Sequence, residues 1–194
     1  QGIFKNLKKM WCSVQPYFDV KDRKAAAAIM AECVERTRNE PGCVFYGWDA
    51  SDDQLFCREA YADGDAVVGA RDNVQALVGR RLEGPAQLSR FEIHGPAAEV
   101  EKTRARTAAL NPQFFIREEG GLYGLVKPTS KPLTLCSLMP HFTVNDSAAV
   151  HDLMRRFTEA TRKEDKCPFY GWNVTGAQLH CQEAYPGAVG AGNP

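Results

Sequence analysis

Ala26, Ile29, Met30, Cys33, Val34 and Thr37 recur at the i, i+3, i+4, i+7 spacing of one helix face. Asp22 stands in front of them as an N-cap, and Pro41-Gly42 stops the helix behind. Before this helix, positions 11–20 carry aromatic and branched residues around Pro16, which predicts a strand with the proline at an edge or an end. After it, positions 43–61 read as strand, turn, strand, with the turn at 49–53. Val44, Tyr46 and Trp48 share one face of the first strand, and Cys43, Phe45 and Gly47 share the other. Leu55, Cys57, Glu59 and Tyr61 share a face of the second. Both faces carry apolar groups, so both are expected to be covered.

The whole pattern returns 124 positions later without a gap. Cys43-Val-Phe-Tyr-Gly-Trp48 becomes Cys167-Pro-Phe-Tyr-Gly-Trp172, and Gln54-Leu-Phe-Cys-Arg-Glu-Ala-Tyr61 becomes Gln178-Leu-His-Cys-Gln-Glu-Ala-Tyr185. Over positions 11–61, 23 of 51 residues equal their partners, against the roughly one in twenty expected of unrelated residues. The repeat is longer than a solenoid unit, so it marks a duplicated domain. In the second copy Val150, Leu153, Met154 and Phe157 keep the helix stripe although most other residues have changed.

Beyond the first hairpin, Ala66, Val67, Ala70, Val74, Leu77 and Val78 predict a second helix over 63–81, and 87–94 reads as a last strand. The first module is then β-α-β-β-α-β, the split βαβ pattern. A short helix starts after Pro96. An extended arm follows at 111–126 with Phe114, Phe115, Leu122 and Tyr123, then a linker at 127–132 containing two prolines. The expected division is a basic arm at 1–10, a first module at 11–96, a connection at 97–132 and a second module at 133–194. Nine residues after Tyr185 are too few and too glycine-rich for a second helix and last strand, so the second module reads as incomplete. The sequence opens on Gln1 rather than Met, which a cleaved targeting segment or an earlier start would explain.

Composition narrows the function. Net charge is zero, which speaks against a general nucleic-acid binder. No apolar run approaches the roughly 20 residues of a spanning helix. Seven cysteines are present, but no pair has zinc spacing. Cys12, Cys43 and Cys57 repeat as Cys136, Cys167 and Cys181 on predicted strands and read as buried free thiols, small hydrophobes in effect. Cys33 argues against a fully paired secreted scaffold. His94, His141, His151 and His180 do not repeat, so no metal site is expected from them.

The one repeated constellation with chemistry in it is Tyr46, Trp48, Glu59 and Tyr61, with Tyr170, Trp172, Glu183 and Tyr185. As a site it would be an aromatic-lined pocket between the sheets, with Glu59 and Glu183 as bases whose pKa burial raises. As structure it would be aromatic filling, with the carboxylates bonded to backbone or arginine.

Pro41-Gly-Cys-Val-Phe-Tyr-Gly-Trp48, a turn, then Leu55-Phe-Cys-Arg-Glu-Ala-Tyr-Ala-Asp-Gly-Asp-Ala-Val67 resembles the antibiotic-biosynthesis-monooxygenase (ABM) domain of the dimeric α/β-barrel proteins. The resemblance spans about 10–96 and again 134–189. The connection at His94-Gly-Pro-Ala-Ala-Glu99 is similar to duplicated ABM proteins of algae. It implies an α+β fold of two tandem ferredoxin-like modules whose antiparallel sheets face each other, an intramolecular dimeric α/β barrel with the second module incomplete. Members of the family include cofactor-independent oxygenases of aromatics and quinols, haem degraders and proteins without assigned activity. The family often carries a histidine in the second helix; here that register falls on Ala70, beside Arg71, and enzymatic activity is left open.

Three function classes follow. The first is a non-catalytic accessory or binding subunit of a larger assembly, for which a plastid photosynthetic complex is one candidate. It would dock on other protein subunits through an arm of Phe114, Phe115, Leu122 and Tyr123, and peripheral membrane association is compatible with it. The second is a cofactor-independent monooxygenase of a small aromatic or quinol substrate. The third is a haem or small hydrophobic ligand binder. None of the residues calls for a bound cofactor, and the expected location is a plastid or otherwise a soluble intracellular compartment.

Overall fold

The computed structural model of the chain describes residues 11–82, 84–123, 135–164 and 167–186, with the side chains of 75–82 and 119–123 outside that set. The basic arm at 1–10 and the linker at 127–132 also fall outside it. The chain divides into two compact units between Phe115 and Ile116. Each is described by itself.

In the first unit the chain runs β1 (Cys12–Val20), α1 (Arg23–Thr37), β2 (Cys43–Ala50), β3 (Gln54–Tyr61), α2 (Gly64–Leu82), β4 (Ala86–Gly95) and α3 (Ala97–Thr107). Asp22 caps α1 as its sequence position demands, its carboxylate accepting from the Ala25 amide at 3.0 Å. The helix buries Ala26, Ile29, Cys33 and Thr37. These pack on Phe18, Leu55 and Ala86 of the sheet, and burying each large side chain contributes about 2 kcal/mol. The strands lie in the order β2-β3-β1-β4, all antiparallel. This is the split βαβ topology expected from the sequence. The proline in β1 sits mid-strand opposite Phe91, and the register shifts just after it, between Tyr17 and Phe18.

Coverage of β2 differs from expectation. Val44 is 51% and Phe45 37% exposed. The register with β3 slips between Cys43 and Phe45, and β2 is the outer strand of this set, so its start escapes the helices.

The connecting helix belongs to the first unit. α3 packs on α2 and buries Glu99, Val100, Thr103 and Thr107. Glu99 is the hinge pin of this contact: its carboxylate accepts the Gly64 amide at 2.9 Å and meets Lys102 Nζ at 2.9 Å. It thereby satisfies one orphan donor at the start of α2. A Cβ on Gly64 would sit well inside van der Waals contact with the Glu99 carbonyl oxygen, a backbone atom that cannot swing away. Gly64→Ala is therefore expected to cost about 2 kcal/mol in urea unfolding, through overpacking at the helix contact. A loss under 0.5 kcal/mol, on the order of a neutral surface change, would show that α3 is not held there.

β5 (Gln113–Tyr123) leads into the second unit, which continues with β6 (Leu135–Leu138), β7 (His141–Thr143), α4 (Ser147–Thr161), β8 (Phe169–Thr175) and β9 (Gln178–Pro186). The extended arm of the sequence reading is thus a strand, pairing antiparallel with β8 from Ile116↔Val174 to Tyr123↔Phe169. Asp146 caps α4 through the Ala149 amide at 3.1 Å, repeating Asp22. β6 and β7 together replace β1, broken at Met139-Pro140, and both pair with β9. Met154 is buried as its stripe position requires, but Leu153 and Phe157 are 46% and 53% exposed. Their counterparts in α1 have α2 beside them; among the described residues of the second unit there is no such helix. No described helix is long and apolar enough to cross a membrane.

Candidate functional site

The β2–β3 hairpin assembles the site. Antiparallel register sets Tyr46 opposite Glu59 and Trp48 opposite Cys57, so all four point to one face of the sheet, with Tyr61 two residues on. That face is the one α1 and α2 cover. Trp48 Nε1 donates to the Tyr46 hydroxyl at 3.1 Å, and the two rings meet edge to face at 6.4 Å. Phe18 backs Trp48 at 5.9 Å. The Tyr61 hydroxyl donates to Glu59 Oε2 at 2.5 Å.

Between this face, α2 and the segment after α3 lies a cleft of about 480 Å³. Val14, Phe18, Trp48, Phe91 and Leu110 supply much of its apolar wall. Its charged lining is Glu59, Lys21 and Arg71. The cleft lies wholly within the first unit, on the helix side of one sheet, because the Tyr46–Glu59 face is also the Cys57 face. Cys57 is 1% exposed, and the Cys33 thiol of α1 reaches Tyr46 across the same layer.

Burial raises the Glu59 carboxyl to about 7, against the stabilising hydrogen bond from Tyr61; the more distant Glu40 adds to the rise. Tyr61 is itself pushed up, by burial and then by Glu59, so it keeps its proton and remains a donor. The thiols around the site are inert for the same reason: burial pushes Cys33 up to about 11 and Cys43 to about 12. All seven cysteines are free.

The second copy repeats the internal contacts. The Tyr185 hydroxyl donates to Glu183 Oε2 at 3.0 Å, and Tyr170 and Trp172 meet edge to face at 6.0 Å. Burial raises Glu183 as well. Tyr170, Trp172 and Tyr185 are 3–7% exposed and join Met154, Cys167, Leu179 and Cys181 in one core cluster. Here the aromatics fill space.

The arm residues take other places. Phe115 is fully buried and stacked on His94, rings 4.6 Å apart and 8° from parallel. Phe114 lies under the Arg104 guanidinium at 4.2 Å. The backbones of Leu122 and Tyr123 pair with Tyr170 and Phe169, and their side chains are outside the described set.

Two features escaped the sequence reading. One is Arg71 in the cleft. The other is a polar layer on the opposite face of the first sheet. There Arg58 Nη1 and the Tyr17 hydroxyl reach Gln15 Oε1 at 3.4 and 3.1 Å. Arg90 and His94 flank the fully buried Glu92 at 3.1 and 3.2 Å, and the Arg90 guanidinium covers the Tyr17 ring at 3.9 Å. The signal was the period-two run of Ser13, Gln15 and Tyr17 against Arg90, Glu92 and His94.

No protein-family model matches the sequence, and no curated protein matches it either. Solved structures do. MupZ from Pseudomonas fluorescens is 34% identical, with 57% of this chain and 93% of that one covered, at a TM-score of 0.54. FN1347 from Fusobacterium nucleatum, provisionally described as a monooxygenase, is 12% identical over 94% of this chain and 79% of its own, at a TM-score of 0.64. The second likeness bears on fold alone. With the split βαβ module and the repeated hairpin, the likeness to MupZ places the chain among the ABM-domain proteins of the dimeric α/β-barrel superfamily, in tandem form.

Proposed function

We propose that the first module is a cofactor-independent oxygenase, with the cleft as its active site and Glu59 as general base for an aromatic or quinol-type substrate. The observation that carries this reading is the one carboxylate of the described lining, raised to about 7, in a cleft whose wall is largely aromatic and aliphatic. A phenolic proton has a pKa near 10, so transfer to a group at about 7 is uphill by about 4 kcal/mol. An ordinary carboxylate would face about 8 kcal/mol. The raised value halves the obstacle while leaving Glu59 ionised in a useful fraction at neutral pH.

The reaction balances with dioxygen as the only co-reactant. Glu59 takes the proton of the enol tautomer of a ring methylene. The resulting carbanion forms a C–O bond with O2, and Glu59 returns its proton to the peroxide. Loss of the remaining C–H proton with O–O cleavage releases water and leaves a ketone, so that CH2 and O2 become C=O and H2O. The aromatic wall holds the ring, and Tyr61 holds the carboxylate in place.

Oxygen uptake with anthrones and hydroquinones as substrates tests the reading. The expected kcat/KM rises with pH through a midpoint near 7 and levels off above about 8, because Glu59 must be ionised to accept the proton. A profile flat from pH 5 to 8, or no uptake with any of them, removes Glu59 from this role.

The accessory-subunit reading keeps one supporting observation, the exposed Phe142, Leu153 and Phe157 of the second module. It concerns that module and gives the cleft no purpose. No histidine lines the cleft, so a haem-binding role finds no imidazole there.

A further inference from the structure

Arg71 sits in the middle of the stripe that α2 turns to the cleft, between Val67 and Val74 at i, i+4 and i+7. Its Nε is buried without a hydrogen-bond partner. The other arginine guanidinium groups described in the first unit find anions or carbonyls. Arg36 pairs with Glu32, Arg38 with Glu35, Arg58 with Asp49, Arg90 with Glu92, Arg104 with Glu101, and Arg106 with Asp72. Arg23 holds the Ser51 carbonyl. Among the described residues Arg71 has neither. A cation in an apolar stripe, with a buried donor left over, is costly unless a ligand completes it.

The charge balance points the same way. With Glu59 protonated the lining carries Lys21 and Arg71 and no negative group. A guanidinium presents two parallel N–H donors, which match the two oxygens of a carboxylate. The rest of the wall, Phe18, Trp48, Phe91 and Leu110 among it, suits an apolar or aromatic body. We infer that the cleft recognises an amphipathic carboxylic acid, its carboxylate on Arg71 and its ring system on the aromatic wall. This deepens the reading of the cleft as a substrate site and rests on it, but equilibrium binding is read apart from turnover.

The test compares 2-naphthoate with its neutral isostere 2-acetylnaphthalene by calorimetry on the full chain at pH 6, where Glu59 is mostly protonated. The wild-type protein is expected to bind the acid at least ~10-fold more tightly, as one charge-assisted pair typically contributes. Arg71→Leu should bring the two affinities together, Arg71→Lys should keep a reduced preference, and Glu59→Gln should keep the full one. Wild-type protein without a preference, or Arg71→Leu with the preference intact, overturns the inference. Should Arg71→Leu not fold, loss of the preference in Arg71→Gln serves in its place, and its retention there counts against the assignment. If Glu59→Gln binds the acid with the full preference while no substrate is turned over by the wild type, carboxylate recognition stands and the oxygenase reading falls.

Discussion

Glu59→Gln is expected to lower oxygen-consuming turnover by about 10³-fold, within the range that a positioned general base contributes, while making the protein more stable at pH 8. The two effects share one cause. Taking the Glu59 carboxylate out of water disfavours its charge and raises its pKa from 4.5 to about 7. The folded state therefore binds more protons than the unfolded chain between those values, and stability falls as pH rises through the window. Below about pH 4.5 the carboxyl is neutral in both states and contributes no penalty. Well above 7 the full penalty applies, roughly 3 kcal/mol. Glutamine is neutral throughout and can still accept from Tyr61. The stability gap between variant and wild type should open from near zero at pH 4 to its full size by pH 8, read from urea midpoints at each pH. A gap of the same size at pH 4 and pH 8 would mean that the carboxyl is not raised. Turnover unchanged in the variant would end the case for Glu59 as base.

The grouping of Tyr46, Trp48, Glu59 and Tyr61 was legible because the hairpin repeats and strand residues alternate with period two. Which layer covers that face was not, since both faces of the hairpin carry apolar side chains. Its answer came from α1, whose Cys33 and Ile29 meet the Phe18–Leu55 side of the sheet. Arg71 was visible beside Ala70 in the helix-histidine register, but a cation is notable there only once it is known that no ion-pair partner meets it among the described residues. β5 shows the same limit. Glu118-Glu119-Gly120-Gly121 has no strand alternation, and the segment is a strand because β8 pairs with it. The stripe of α4 was read correctly at Met154 and wrongly at Leu153 and Phe157, because a stripe records what a helix offers, not what arrives to cover it. The local rules thus reach the hairpin and the caps, and the site's ligand chemistry depends on neighbours that only the tertiary structure supplies.

Glu92→Ala is expected to cost about 3 kcal/mol, the low end for breaking one side of a buried ionic network. Glu92 is fully buried, with Arg90 Nε 3.1 Å from one oxygen and His94 Nε2 3.2 Å from the other. Removing it takes one hydrogen-bond partner from a buried imidazole and leaves a cavity, whereas the half-exposed Arg90 can turn to water. That escape keeps the cost from the upper end of the range. Tyr17 adds little, because its hydroxyl lies nearer Gln15 at 3.1 Å than Glu92 at 3.5 Å. Glu92→Gln keeps the shape and one acceptor, so about 1 kcal/mol is expected. Chemical unfolding of both variants at pH 7 decides the matter. If Ala and Gln cost the same, the contribution of Glu92 is its charge. If both cost under 0.5 kcal/mol, the polar layer is not structural, and its place on a sheet face opposite the cleft needs another explanation.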